Sequence, residues 1–326
     1  MAPHSSQQKI AAHPSTQVSQ SVGVRAGRAL RKNGTWLLMT VPALLFLLVF
    51  SYLPMVGIII AFKNYRFNLG IFGSPWIGLK NFEFLFSTRD AWRITSNTLS
   101  LNATFITTTL VGGLAVAFLM NAIRQRKLLR IYQSALLFPY VLSWVVVGYF
   151  AFAILNANNG WLNSLLAGFG VAPIRWFGEP KYWPTILTVT KLWKDIGFAS
   201  IIYLAGMVAI NPEYYEAGRI DGANSWQLAR SITLPLLWPL IIINLLLAVG
   251  SIFYADFGLF YFVTRDSDQL YATTDVIDTY VFRALRQSSN LGMAAAVGVY
   301  QSLVGFVLVL VANWLVRRID RDYSLF

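Results

Sequence analysis

The sequence predicts an all-α integral membrane protein of six transmembrane helices with both termini in the cytoplasm. Three observations predict it. Six apolar stretches, at 36–62, 98–123, 131–155, 184–210, 234–255 and 292–316, reach the length of about 20 residues that a helix needs to cross a hydrocarbon core of about 30 Å. The 326 residues are 56% hydrophobic and only 12% charged, with mean hydropathy +0.55, whereas a soluble domain carries about 25% charged residues. The net charge of +12 is dispersed between the apolar runs, which suits membrane orientation and argues against a nucleic-acid groove.

Residues 1–33 form a polar amino-terminal tail; up to about residue 24 it is rich in Ser, Gln, Ala and His and reads as disordered and cytoplasmic. Arg25, Arg28, Arg31 and Lys32 then precede an uncharged run from Gly34 to Phe62. That run exceeds the roughly 7–15 residues of a signal-peptide core and lacks a small-x-small cleavage site, so it reads as the first span. Span four is the least apolar because it contains Lys191, Lys194 and Asp195. Pro42, Pro54, Pro139 and Pro239 fall in or near spans, which a helix bundle tolerates where neighbouring groups satisfy the freed carbonyls. Orientation rests on the turn Arg124-Gln125-Arg126-Lys127-Leu128-Leu129-Arg130, with four cations and no acid. Cation-rich short loops stay in the cytoplasm, and this places there both termini, including the 317–326 tail, and the 211–233 loop.

The chemistry open to the chain is narrow. With no cysteine it can form neither a disulfide nor a thiolate site. Its two histidines, His4 and His13, lie in the tail, so no histidine-based metal or triad site is expected. The loops at 64–96 and 156–183 carry Phe82, Phe84, Phe86, Trp161, Trp176 and Trp183, read as an interfacial aromatic belt in preference to ligand contacts. Thr104, Thr107, Thr108, Thr109, Gly112, Gly113 and Ala115 in the second span read as a close-packing face in preference to a pore lining.

The segment 211–235 reads as two short helices at a membrane surface. Asn211 suits an N-cap and Pro212 the first helical position. Glu213 complements the positive helix start, and Gly222 supplies the break. Asn224 or Ser225 can cap a second helix with Trp226, Ala229 and Ile232 at helical spacing, before Pro235 opens the fifth span. Glu216, Arg219 and Asp221 make the surface compact and charged; on physics alone it is either a contact surface or a simple connector.

The residues Glu216-Ala217-Gly218, then Gly222 after three positions and Ile232-x-Leu234-Pro235 after nine more, resemble the EAA loop of ABC-importer permeases. The one departure is Gly218 for the second alanine, which loosens a helix by about 1 kcal/mol. The resemblance runs from about residue 36. Asn97-Thr98, Arg130 with Phe138-Pro139, Gly160-x-x-Asn163 and Arg317-Arg318 resemble the maltose-type sugar permeases. Ser51-Tyr52-x-Pro54, Ser74-Pro75-Trp76-x-Gly78-Leu79-x-Asn81-Phe82 and Thr274-Asp275-Val276-Ile277-Asp278-Thr279-Tyr280 are similar to the LplB-like polysaccharide subgroup, whose cargoes include alginate. Arg265-Asp266-Ser267 stands where many relatives have Gly-Gly-Pro.

This resemblance implies a type I ABC importer permease fold in the bacterial inner membrane. It implies a second related permease, two cytoplasmic ATPases that bind ATP and Mg, an external solute-binding protein and a carbohydrate cargo. Coupling to the ATPase is implied for Glu213, Glu216, Ala217, Gly218, Arg219, Asp221 and Gly222. The chain itself would be neither catalytic nor cofactor-binding: no G-x-x-x-x-G-K-[ST] loop is present, and the nearest glycine-rich piece, 73–80, lacks the Gly-Lys pair.

For the substrate path the sequence offers two groups. Lys191, Lys194 and Asp195 share one helix face, and each would cost about 2.5–3.5 kcal/mol at a span centre. They either snorkel to the interface or line a wet cavity. A Lys191–Asp195 pair would leave Lys194 free for an acidic sugar. Tyr254, Asp256, Phe257 and Phe260 combine an acid with rings, as sugar binding needs, though a helix cap explains Asp256 equally. The acid-rich 264–283 loop reads as a solvated external loop, or one that reaches a docked binding protein. The rivals are an importer of another small solute, a channel, which would need no ATPase-docking loop, and a membrane-embedded glycan-processing enzyme. The enzyme would need clustered carboxylates or histidines facing the membrane surface, and the acids near the cytoplasmic side are only Glu213, Glu216, Asp221, Asp320 and Asp322, three of them inside the EAA pattern.

Overall fold

A computed structural model describes residues 34–319. The amino-terminal tail, with His4, His13, Lys9, Arg25, Arg28, Arg31 and Lys32, and the carboxyl end with Arg321 lie outside the described residues. Among the described residues the elements are helices, with one isolated bridge between Lys63 and Trp76. The chain divides into two compact units, one ending at Val56 and one beginning at Gly57. In the first, α1 (Gly34–Leu47) passes into a π turn at Leu48–Tyr52, and rings such as Trp36, Phe46 and Phe50 are exposed along it.

The second unit holds the remaining long helices. The helix α2 (Arg89–Asn121) begins where the Thr88 hydroxyl accepts the Ala91 amide, nine residues before the predicted span. Its 33 residues extend about 50 Å, so its first turns outrun a hydrocarbon core. The predicted third span is not one helix. It is α3 (Arg126–Val141) and α4 (Trp144–Leu155), bent by 95°, with Ser143 capping α4 through the Val146 amide. After α5 (Trp161–Gly168) comes α6 (Trp183–Val208), then α7 (Pro212–Ile220), which turns away from the α6 segment by 72°. The second helix of the 211–235 segment is not separate from the fifth span. Asn224 and Gln227 form a capping box, and one helix, α8 (Ser225–Gly250), runs on through a π turn at Ala229–Thr233. The prolines at 235 and 239 are absorbed within it. It ends five residues earlier than expected, at a turn over Ser251–Tyr254. Last come α9 (Ile277–Ser288) and α10 (Leu291–Ile319).

By length and apolar composition four helical stretches can cross a membrane, Gly34–Phe62, Arg89–Asn121, Ser225–Gly250 and Leu291–Arg318, and up to six can if each bent pair counts as one span. Three apolar cores hold the second unit. One gathers Phe105, Val147, Trp183, Leu187, Phe260 and Leu270. A second joins α2, α6 and α8 through Ala117, Met120, Tyr203, Met207 and Leu237. A third sets Ile94 against Phe253, Ile277 and Val297.

Helices approach most closely where side chains vanish. A Cβ on Gly197 would lie 1.9 Å from the Leu136 carbonyl oxygen, so α3 crosses α6 there against bare backbone. Gly112 and Gly113 meet Leu192, Ile196 and Ala199 of α6 in a close helix contact, whereas Thr104, Thr107 and Ala115 of the same stretch are exposed and Thr109 lines a cavity. The belt reading of the aromatics fails for two of them. Trp183 is fully buried and Trp176 nearly so, because their indole N–H groups find partners inside: Trp176 donates to Asn163 Oδ1 at 3.0 Å and Trp183 to the Trp176 carbonyl at 2.8 Å.

Candidate functional site

The mid-span charges of α6 face a cavity of about 730 Å³ between α2, α3, α6 and α8. Lys191, Lys194, Asp195, Tyr254 and Asp256 all line it, which puts the charged face of α6 on a cavity wall. The Lys191 ammonium sits between two carboxylates, 2.8 Å from Asp195 Oδ2 and 2.9 Å from Asp256 Oδ2. Asp256, which directly precedes a helical turn and whose carbonyl accepts the Phe260 amide at 3.3 Å, is thus also an ion-pair partner from a distant part of the chain.

Lys194 is not free, contrary to expectation. Its ammonium is buried and donates to the carbonyls of Pro139, Tyr140 and Leu142 at 3.2, 2.6 and 2.6 Å. These acceptors lie at the end of α3, where carbonyls lack the next helical amide; that of Pro139 also takes the Leu142 amide at 3.2 Å. The lysine of one helix thus caps the elbow of another.

The two phenylalanines do not join the cavity. Phe260 is in the core against Phe105, and Phe257 stacks on Tyr261 and meets Phe282. Sequence reasoning missed the rings that do line it, Tyr140, Trp144 and Phe198, and the amides Asn102 and Asn244. The amides were detectable as polar groups inside apolar spans. The rings were not, since any span carries many.

Beyond α6 the expected short helix α7 stands at the end of the helix pair. Asn211 Oδ1 accepts the Glu213 amide at 3.1 Å, and Gly222 turns the chain with φ +81°, which favours glycine. Glu213, Glu216, Ala217, Arg219, Asp221 and Gly222 are exposed and Gly218 half-buried. A Cβ on Gly218 would come within 2.6 Å of Leu228 and 3.2 Å of Ile232. The departure from alanine lets α7 lie tight on α8. The Tyr215 hydroxyl meets Thr233 Oγ1 at 3.0 Å, at the end of the π turn. Ile220 is 86% and Trp226 74% exposed, so apolar groups stand out beside the charges.

The 264–283 segment is no solvated acidic loop. Asp275 is only 1% exposed and binds Arg283, Arg93 at 3.3 Å and Thr279 at 3.2 Å. Arg283 also holds Asp266 at 2.8 Å. Asn97 donates to the Asp275 carbonyl and Thr98 accepts the Ile277 amide. Asp278 accepts the Ala255 amide at 2.8 Å; burial nevertheless pushes its carboxyl above the usual range, against the pull of that amide and of Gln301. Arg265 and Asp266 hold φ of +59° and +47°, so the backbone keeps a left-handed form that glycine would adopt without strain.

Residues 109–321 match the family described as the binding-protein-dependent transport system inner membrane component. The chain belongs to that family. This permease is 32% identical over 285 residues to the polygalacturonan/rhamnogalacturonan transport system permease protein YteP of Bacillus subtilis (strain 168), covering 87% of this chain and 88% of that one. It is 31% identical over 295 residues to protein LplB of the same organism, covering 90% and 92%. Its fold matches a chain in the crystal structure of a bacterial ABC transporter involved in the import of the acidic polysaccharide alginate. The TM-score is 0.83 with 30% identity, over 91% of this chain and 99% of that one. A bacterial alginate ABC transporter in complex with an alginate pentasaccharide-bound periplasmic protein matches with a TM-score of 0.82 and 29% identity, over 90% and 98%. The permease is thus a helical, multi-pass membrane protein of the type I importer fold, from a family whose members are transport subunits.

Proposed function

We propose that this permease is one transmembrane half of a binding-protein-dependent ABC importer that moves oligo- or polysaccharides into the cytoplasm. Six spans, with α3 and α4 together as the third and α6 as the fourth, would place both termini and α7 on the cytoplasmic side of the inner membrane. A second related permease completes the path, an external solute-binding protein delivers the cargo, and two partner ATPases hydrolyse ATP with Mg. The permease itself carries out no chemistry.

The observation that carries this reading is α7: a capped helix with Glu213, Glu216, Arg219 and Asp221 exposed, flanked by exposed Ile220 and Trp226 and joined at both ends to membrane helices. A surface of charge around apolar anchors is what a docking partner needs. The saccharide reading draws on YteP and the alginate transporters, and on a cavity that combines aromatic rings with amides and hydroxyls, the mix that small-molecule sites use.

The test uses the absence of native cysteine. Ile220→Cys in the assembled complex is expected to react with a membrane-impermeant maleimide only from the cytoplasmic face, and to be shielded when the ATPases are bound. Proteoliposomes of that complex are expected to accumulate labelled oligosaccharide only with ATP. Labelling from the external face would overturn the topology, and ATP-independent accumulation the importer reading.

A further inference from the structure

The cavity wall shows which saccharides it can receive. Four charged side chains line it among the described residues, Lys191, Lys194, Asp195 and Asp256, and their charges cancel. More decisive is where the protons point. A lysine ammonium has three donors and no acceptor. Those of Lys194 go to three carbonyls, so none is left for a ligand. Lys191 places two between the paired carboxylates, and an incoming anion at its remaining proton would stand beside two like charges.

We infer that the saccharide received by this wall is uncharged. This deepens the importer reading and rests on it. Both cations of the wall are consumed by the protein, so a uronate carboxylate finds no free cation on it and meets repulsion from Asp195 and Asp256. Hydroxyls are served instead. A carboxylate accepts through both oxygens; Lys191 takes Oδ2 of each aspartate, and the other oxygens can receive sugar O–H groups. Tyr140 and Phe198 stack at 4.7 Å between centroids, presenting a flat apolar surface on which the C–H face of a sugar ring can lie.

The experiment compares ATP-driven uptake of two labelled probes of equal length and linkage, a galacturonate tetramer and the neutral galactose tetramer, into proteoliposomes of the complete importer. The neutral probe is expected to enter at least 10-fold faster. Asp256→Asn gives the wall a net positive charge and partly releases Lys191; it is expected to narrow that ratio at least threefold by raising galacturonate uptake. Asp195→Asn, which leaves the link to Asp256 intact, provides the same reading if the first variant fails to assemble. Equal or faster galacturonate uptake by the wild type, or a ratio unmoved in both variants, overturns the inference and leaves the importer standing. ATP-driven uptake of neither probe by an assembled complex removes the importer reading itself.

Discussion

The 264–288 region and the α7 hook are both rich in charge, and they use it in opposite ways. In the first, Asp275, Arg283, Arg93 and Asp266 answer one another inside the protein, and the backbone amides of Ala255 and Ile277 are taken up by Asp278 and Thr98. In the hook, Glu213, Glu216, Arg219 and Asp221 are exposed and have no ion pair among the described residues. Closed charge makes a scaffold, because removing one partner strands the other in low dielectric. Open charge costs the fold little to remove and is available to another molecule. Acid content alone, which is all that the sequence shows, does not separate the two cases.

The contrast can be broken or sharpened by five substitutions, ordered by their expected effect on stability. Asp275→Ala removes the buried carboxylate shared by Arg283 and Arg93, leaving each one other acid, Asp266 and Asp90, and thermal unfolding of the purified protein is expected to show a loss of about 3 kcal/mol. A change under 1 kcal/mol would mean that the network is ornamental. Lys194→Met removes three donors from the α3 elbow and is expected to cost on the order of 3 kcal/mol, with proteolysis appearing first near residues 139–143. Tyr215→Phe loses one hydrogen bond, to Thr233, for about 1 kcal/mol. Its sharper readout is the number of ATP molecules hydrolysed per sugar imported, which should rise as the hook loosens from α8. Glu216→Ala is expected to leave stability within about 0.5 kcal/mol yet lower uptake at least 10-fold. Unfolding as severe as that of Asp275→Ala would erase the distinction between scaffold and hook.

The smallest effect is one of pH. Burial raises the Asp278 carboxyl above its usual 3.8, so the folded state holds that proton to higher pH than the unfolded chain does. Stability from this group is therefore lost as pH rises from about 4 through the folded value. Asp278→Asn cannot titrate, so the wild type should lose stability relative to it over that interval in paired melting curves.

Much of this was legible in sequence because it is local. Asn211, Pro212 and Gly222 dictate the hook through capping and a left-handed turn, and neither needs distant partners. The pairing of Lys191 with Asp195 follows from helix geometry alone. What stayed hidden depends on contacts far apart in the chain. Lys194 meets carbonyls more than 50 residues away, Asp256 reaches Lys191 across 65, and Trp183 is buried only because Trp176 turns a carbonyl toward it. Gly218 looked like a weakened helix position until the side chains of Leu228 and Ile232 were found against it.

The grip of Lys194 on the end of α3 has a mechanical consequence. The bend between α3 and α4 is held from outside, by a side chain rooted in a neighbouring rod. That rod continues about 14 residues, roughly 21 Å, to the base of the hook. A tilt imposed at one extremity must therefore pull on the joint at the other, like a crank whose handle and load share a single shaft.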